Sequence, residues 1–261
     1  MGVKAKKLQA ARSWLFEAGA LCRQLAQKTY TIATKSNRKD LVTTVDREVE
    51  AFLRQQITAA YPNDTIVGEE AGGLADFSLA EKAWFLDPID GTKNFVLQGE
   101  DFAMMLAYVE AGQVQFALIY DVLQEKLYEA SQGAGVTCQG EALAPVSNVP
   151  LAESLVSITP ALLFQEKATL KPLLEEAMGY RHYGACALAI LKCVRGQLGG
   201  YLGSLLAPWD FAPALIFAQE ARLSCRQVDG RPVDLTTSQR IILGTPAVLE
   251  RWLAVTEALA L

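Results

Sequence analysis

Histidine is almost absent from this sequence: His182 is the only one. A histidine base or a histidine-ligated metal would hang on that single residue, flanked by Arg181 and Tyr183, and it reads instead as a structural or surface residue. Cysteine is sparse and unpatterned. Cys22, Cys138, Cys186, Cys193 and Cys225 are odd in number and form no Cys-x-x-Cys pair, which argues against a thiolate zinc site and a disulfide framework. Reduced thiols in a cytoplasmic protein are the simplest account. Long apolar runs are missing too. The longest, Phe102 to Val109, falls far short of the roughly 20 residues of a spanning helix. The early lysines Lys4, Lys6 and Lys7 lead into Ala11-Arg12-Ser13-Trp14 and Glu17 rather than an apolar segment, so no signal peptide is expected. Met1-Gly2 resembles a myristoylation start, but Lys6 stands where Ser or Thr is wanted. Asn63-Asp64-Thr65 reads as an ordinary turn. Basic residues are not in excess: 24 Lys and Arg against 29 Asp and Glu give a net charge of −5. Neither nucleic acid nor an anionic membrane is an expected partner. A small phosphorylated ligand is still open, because bound cations can neutralise both site and ligand.

What is present is core material. The 261 residues are 51% hydrophobic and 20% charged, enough for one large domain or two smaller ones. Leu8, Ala11, Leu15, Ala18, Cys22 and Leu25 form one stripe of a first amphipathic helix. The polar stretch Thr34 to Asp40 breaks the pattern. A second helix is expected from about Thr44 to Tyr61, with Val45, Val49, Phe52, Leu53 and Ile57 inward, ended by Pro62-Asn63-Asp64. The period then changes. Thr65–Val67, Ala83–Leu86, Phe102–Glu110, Gln113–Tyr120 and Lys126–Ala130 read as strands, with Ala111-Gly112 as a hairpin turn and Gly133 and Gly135 as turn residues. In the second half, Leu155–Ile158 and Arg240–Leu243 read as strands. Thr169–Met178, Ala185–Arg195, Phe211–Glu220 and a last segment opened by Pro246 read as helices, with Leu188, Leu191 and Val194 inward. Strands grouped between helix pairs indicate an α+β layered fold rather than strict βαβ alternation. A soft boundary near Pro145 to Leu151 divides the chain into residues 1–148 and 149–261, two halves of one compact unit.

The richest segment is Trp84-Phe85-Leu86-Asp87-Pro88-Ile89-Asp90-Gly91-Thr92-Lys93-Asn94-Phe95. An apolar strand delivers two carboxylates into a turn. Like charges in a cleft repel, and a hard cation relieves that repulsion. Mg²⁺ favours carboxylate, carbonyl and water oxygens together with substrate phosphate. Past Gly91 the chain can start a helix and offer its N–H groups to a phosphate; the alternative is an Asp-rich turn closed by an Asx bond. Acids recur past a strand in Gly68-Glu69-Glu70, at a helix start in Trp209-Asp210, where Asp210 is an N-cap candidate, and beside Thr43 and Thr44 at Asp46. Each alone reads equally as a surface acid or a cap.

Gly68-Glu69-Glu70, Asp87-Pro88-Ile89-Asp90-Gly91-Thr92-Lys93-Asn94-Phe95 and Trp209-Asp210-Phe211-Ala212 resemble the three signature motifs of the inositol monophosphatase family, in order and over essentially the whole chain. The stretch Lys35 to Asp46 resembles it as well. The resemblance implies a layered α/β/α/β/α sugar-phosphatase fold and Mg²⁺-dependent hydrolysis of a phosphate monoester, with two to three ions. It implies metal ligation by Glu69, Asp87, Asp90, Asp210 and the carbonyl of Ile89, and catalytic roles for Asp46, Thr92 and Glu69, the first two forming the pair that positions and deprotonates water. It implies substrate contacts from Asp90, Gly91, Thr92, Gly184, Ala185, Cys186 and Asp210, with Li⁺ inhibition and a homodimer.

The chain departs from the family pattern in three places. Gly203 stands seven residues before Asp210, where inositol-specific members carry a Glu on the sugar hydroxyls, so polyol discrimination should weaken. Gln219-Glu220-Ala221-Arg222-Leu223 replaces the usual Glu-Ala-Gly-Gly. Ala185 and Cys186 occupy variable positions after Gly184. An inositol-1-phosphatase-like activity of relaxed specificity is the leading expectation. The alternatives are NADP(H), fructose 1,6-bisphosphate or 3′-phosphoadenosine 5′-phosphate as substrate, for which Tyr183, Tyr201 and Trp209 are candidate platforms. Lys93 is either a contact to an anionic substrate or a solvated lysine. A catalytically silent binding protein is disfavoured by the complete acid set. The Gly72-Gly73 loop is a candidate flap.

Overall fold

Alternation along the long strands gives each sheet two apolar faces, and the helices cover them. The computed structural model describes residues 2–35, 38, 40–71, 73–74, 77–79 and 81–256; Ser36, Asn37, Lys39 and Gly72 of the segments singled out above lie outside the described residues. The first helix α1 (Val3–Ala26) is followed by a ribbon of β1 (Ile32–Thr34) and β2 (Leu41–Thr43) and by α2 (Thr44–Ala60). The chain then builds β3 (Thr65–Gly68), β4 (Lys82–Asp90), α3 (Thr92–Leu97), β5 (Ala103–Glu110), β6 (Gln113–Asp121), β7 (Lys126–Ser131), β8 (Gly135–Cys138) and β9 (Glu141–Ala142). These seven strands pair in sequence order, β3 and β4 parallel and the rest antiparallel. Trp84, Leu86, Leu106 and Tyr120 pack with Leu15, Val49 and Ile57 of α1 and α2. Phe85, Met105 and Ile119 point the other way.

The second half holds β10 (Leu155–Ile158), α4 (Pro160–Gln165), α5 (Lys167–Glu176), β11 (Gly179–Arg181), α6 (Cys186–Val194), β12 (Gly200–Leu206), α7 (Pro208–Ala221), β13 (Ser224–Gln227), β14 (Gln239–Gly244) and α8 (Pro246–Thr256). Its sheet runs β11-β10-β12-β14-β13, parallel across β11, β10 and β12 and antiparallel at β14. Helices α6 and α7 share one core with both sheets: Ile190 and Phe217 pack with Phe85 and Met105 on one side and with Ile241 and Leu243 on the other. Leu202 and Ile242 face outward onto Leu162, Leu173 and Trp252 of α4, α5 and α8. The order of layers is therefore α/β/α/β/α, as the motifs imply.

Several elements differ from the sequence reading. Thr34, read above as part of the polar break, pairs instead in the β1–β2 ribbon, opposite Leu41. Gly135, expected in a turn, opens β8 at φ 75°. Strands β9, β11, β12 and β13 and helix α4 carried no readable pattern. Phe52 is only half-buried on α2. Helix α7 starts at Pro208 rather than Phe211, so its N-cap is Ala207 and Asp210 lies three residues inside.

Candidate active site

Asp87 and Asp90 reach the cleft because β4 is interrupted at Pro88, which has no N–H for the ladder. The β4–β5 register shifts between Asp87 and Asp90. The Asp87 carboxylate closes the turn on itself, its Oδ1 accepting the N–H of Ile89 at 3.0 Å. Gly91 follows at φ 95°; a Cβ there would lie 3.0 Å from the Ala185 Cβ and 3.2 Å from the Asp101 carbonyl. Thr92 then starts α3.

Asp46 is buried at the start of α2, where Thr43 is the N-cap of a reciprocal capping box. Its Oδ2 accepts the Thr43 N–H at 2.8 Å and the Thr43 hydroxyl, and its Oδ1 stands 3.1 Å from the Thr92 hydroxyl oxygen. That hydroxyl is also 3.1 Å from the Ile89 carbonyl, so a single proton serves two acceptors. Burial raises the Asp46 carboxyl above its usual range, against the bonds from Thr43 and Thr92 that favour the anion.

Asp90 spans the two halves of the chain. Its oxygens accept the N–H groups of Cys186, at 3.1 Å, and Ala187, the first residues of α6. Burial lifts its carboxyl to about 7 even so. Asp210 accepts the Ala207 N–H at 2.8 Å. Asp87 and Asp210 are both pushed well above the usual carboxylate range, first by burial and then by Glu69 and Asp90. Glu69, Asp87, Ile89, Asp90, Gly91, Thr92, Gly184, Ala185, Cys186 and Asp210 all border one cleft of about 740 Å³, with Asp46 reaching it through Thr92. Gly184, at φ 74°, leaves room for Asn94, whose Nδ2 donates to the carbonyls of Tyr183 and Asp101; a Cβ at 184 would lie 2.5 Å from Asn94 Oδ1.

Two contributors carried no individual signal in the sequence. The Lys35 ammonium lies 2.6 Å from both Glu69 and Glu70. Burial pulls its pKa down, but the two glutamates hold it above the usual lysine range. Burial also lifts the Glu70 carboxyl to about 7, against Lys35. Phe164 of α4 is 81% exposed on the cleft wall. Of the aromatic candidates, Tyr183 and Tyr201 border the cleft, whereas Trp209 packs against the central core. Lys93 and His182 also border it; His182 is exposed by surface area, yet partial desolvation of its ring by the neighbouring chain, with Lys93 nearby, lowers its pKa. A Cβ at Gly203 would lie 2.6 Å from Leu206 Cδ1 and 3.2 Å from the Tyr201 hydroxyl, and Leu206 borders the cleft.

The donor set is all oxygen, mostly carboxylate, and its burial and mutual repulsion call for positive charge. That is the chemistry of a hard divalent cation. Among the described residues no three His, Cys, Asp or Glu side chains converge closely enough to chelate an ion as they stand. Lys35 accounts for part of this, holding Glu69 and Glu70, and bare carboxylates also repel one another.

Comparison with known proteins gives the family and the fold. The profile of the Inositol monophosphatase family matches residues 4–259. Inositol-1-monophosphatase of Bacillus subtilis (strain 168) is 34% identical over 244 residues, 92% of each chain. The structure of an IMPase/NADP phosphatase complexed with Mg²⁺ and phosphate superposes with a TM-score of 0.92 at 29% identity, covering 98% of this chain and 97% of the other. Staphylococcal inositol monophosphatase-1 in a LiCl-soaked inhibitory complex gives 0.92 at 28%, covering 99% and 97%.

Proposed function

Because this chain belongs to the inositol monophosphatase family and is a phosphatase of that family, we propose that it hydrolyses small phosphate monoesters with Mg²⁺, inositol 1-phosphate among them. The observation that carries this reading is the hydrogen bond of Thr92 to Asp46 beside a cleft walled by Glu69, Asp87, Asp90 and Asp210. Those four side chains and the Ile89 carbonyl would hold two to three ions. The ions' chemistry, when bound, is to neutralise the phosphate, acidify an attacking water and support the leaving oxygen.

The residues of the chain do the rest. Asp46, fixed by Thr43, holds the Thr92 proton, which leaves the Thr92 oxygen free to accept from the attacking water. As the water oxygen bonds to phosphorus, its proton passes into this relay; the ester P–O bond breaks, and the leaving alkoxide takes up a proton to give the free alcohol. Gly91 and Thr92 at the start of α3 present backbone to the phosphoryl group. Gly184, Ala185 and Cys186 line the cleft with Asp90 and Asp210. Residues 1–148 and 149–261 act as halves of one unit, with the site between them. A homodimer working in the cytoplasm and inhibited by Li⁺ completes the reading; the free cysteines suit a reducing compartment, and the LiCl complex of the Staphylococcal relative supports the inhibition.

Phosphate release from inositol 1-phosphate, NADP, fructose 1,6-bisphosphate and 3′-phosphoadenosine 5′-phosphate, with Mg²⁺ and with a chelator, tests it. Chelator-sensitive turnover is expected. A folded protein that releases phosphate from none of them would point to a silent binding protein. Leu206 and the exposed Phe164 on the cleft border favour a second reading, in which an ester with a planar base, such as NADP, rivals the polyol.

A further inference from the structure

Glu50 belongs to none of the motifs, yet it is 1% exposed and sits one turn beyond Asp46 on α2. Among the described residues, its backbone partners lie on the segment that carries Glu69 and Glu70. Its Oε2 accepts the Glu70 N–H at 2.7 Å, and its Oε1 accepts the Ala71 N–H at 2.9 Å. Oε1 also accepts from Arg54 Nε at 2.7 Å. Arg54, a further turn along, donates to the carbonyls of Ile66 and Ala71. Gly68 completes the fit: a Cβ there would lie 2.7 Å from Glu50 Oε1 and 2.8 Å from Arg54 Nη2. Positions 46, 50 and 54 are four apart, so they share one face of the helix. That face holds Thr92 through Asp46 and the Glu69–Glu70 backbone through Glu50.

A buried carboxylate is costly unless every lone pair is used. Here it is spent on two consecutive backbone N–H groups, a nest that suits an anion and fixes the chain direction at the turn. We propose that Glu50 is a positioning residue, setting the Glu69–Glu70 backbone in register with the Asp46–Thr92 pair so that Glu69 meets the cation at the cleft. The proposal rests on the Mg²⁺-dependent reading above.

Three variants test it. Glu50→Gln turns one acceptor into an amide that faces a backbone N–H. Gly68→Ala pushes on the carboxylate while leaving Glu50 intact, and it carries the test should Glu50→Gln fail to fold. Val49→Ala, in the core on the same helix, is the control for lost stability. The readouts are Mg²⁺ binding by calorimetry, the Mg²⁺ dependence of phosphate release and hydrogen exchange at the Glu70 and Ala71 amides. Glu50→Gln and Gly68→Ala should weaken Mg²⁺ binding about 10-fold or more. They should also unprotect both amides and leave KM for the ester at saturating Mg²⁺ nearly unchanged. Val49→Ala should lower Tm without either effect. Unaltered Mg²⁺ affinity and protection in Glu50→Gln, or an equal Mg²⁺ shift in Val49→Ala, would overturn the proposal. If the wild type itself neither binds Mg²⁺ nor turns over, the metal reading has failed. Exchange at the two amides then decides the clamp alone: protection lost in Glu50→Gln upholds it, protection kept overturns it.

Discussion

Thr92 and Asp46 touch through one hydroxyl proton, and their removal should appear in turnover rather than in binding. Thr92→Ala and Asp46→Asn are each expected to lower kcat by about 10²–10³-fold with KM changed little, whereas Thr92→Ser keeps much of the rate. A comparable rise in KM with kcat preserved would mean that the pair binds rather than relays. A second residue-level test concerns Lys7. Its buried ammonium pairs with Asp64, which also accepts the Trp84 indole N–H at 2.9 Å, and it lies 4.3 Å and 4.2 Å from the ring centres of Tyr61 and Tyr108. Asp64→Asn strands that charge and should cost about 3 kcal/mol, while Lys7→Met with Asp64→Asn should recover most of the loss. Burial lowers the Lys7 pKa below its ordinary 10.5 despite Asp64. The unfolded chain therefore holds this proton longer, and wild type should gain stability over Lys7→Met as pH rises from the lowered value towards 10.5. Denaturant melts across alkaline pH check the sign; a falling difference would contradict it.

Among the elements, α7 ends on the departure Gln219-Glu220-Ala221-Arg222. Arg222 is exposed and takes the left-handed cap conformation, φ 61°, that glycine adopts freely. Arg222→Gly should raise stability by about 1 kcal/mol, roughly 2–4 °C in Tm. Glu220 is not idle there: it accepts the N–H groups of Gly133 and Gly135, at 2.9 Å and 2.8 Å, across the turn before β8. Which elements the sequence disclosed follows from how each is stabilised. Helices α1 and α2 were legible because their burial is periodic, and strands β5 and β6 because they are apolar runs buried almost throughout. Strand β12 was not, because Gly199-Gly200-Tyr201-Leu202-Gly203 reads as a loop. Its glycines are demanded by contacts far along the chain: a Cβ on Gly200 would lie 2.9 Å from Val248 and 3.1 Å from the Leu243 carbonyl. The same distinction runs through the site. Asp87 and Asp90 announced themselves as acids ending an apolar strand. Asp210 was found but placed at the N-cap, whereas the helix begins two residues earlier and Asp210 accepts the N–H of the true N-cap, Ala207. Lys35 and Glu50 pass for ordinary polar residues until the fold brings Glu69 and the Ala71 amide to them.

On the scale of the molecule, the cleft closes only when both halves are folded, since the proposed ligands come from the end of β3, from β4 and from α7. The halves are also joined by the Asp90 bonds to Cys186 and Ala187 and by one core shared through α6 and α7. The chain should therefore melt in a single transition. Mg²⁺, bound by the folded state alone, should raise it by about 2.7 kcal/mol at a hundred times its Kd, roughly 5–10 °C for a chain of this size. Asp210→Asn sharpens the test because its two effects oppose. It keeps an oxygen for the Ala207 N–H but removes one of the buried charges that repel, so without Mg²⁺ the variant should melt higher than wild type. With Mg²⁺ it should melt lower, having lost a ligand, so the two melting curves exchange order as the ion is added. Calorimetric scans of both proteins, with Mg²⁺ and with chelator, read this directly. An equal Mg²⁺ shift in the variant would remove Asp210 from the ligand set. Two transitions of which only one responds would mean that the ion does not tie the halves together, and the site would then have to be assigned within one of them.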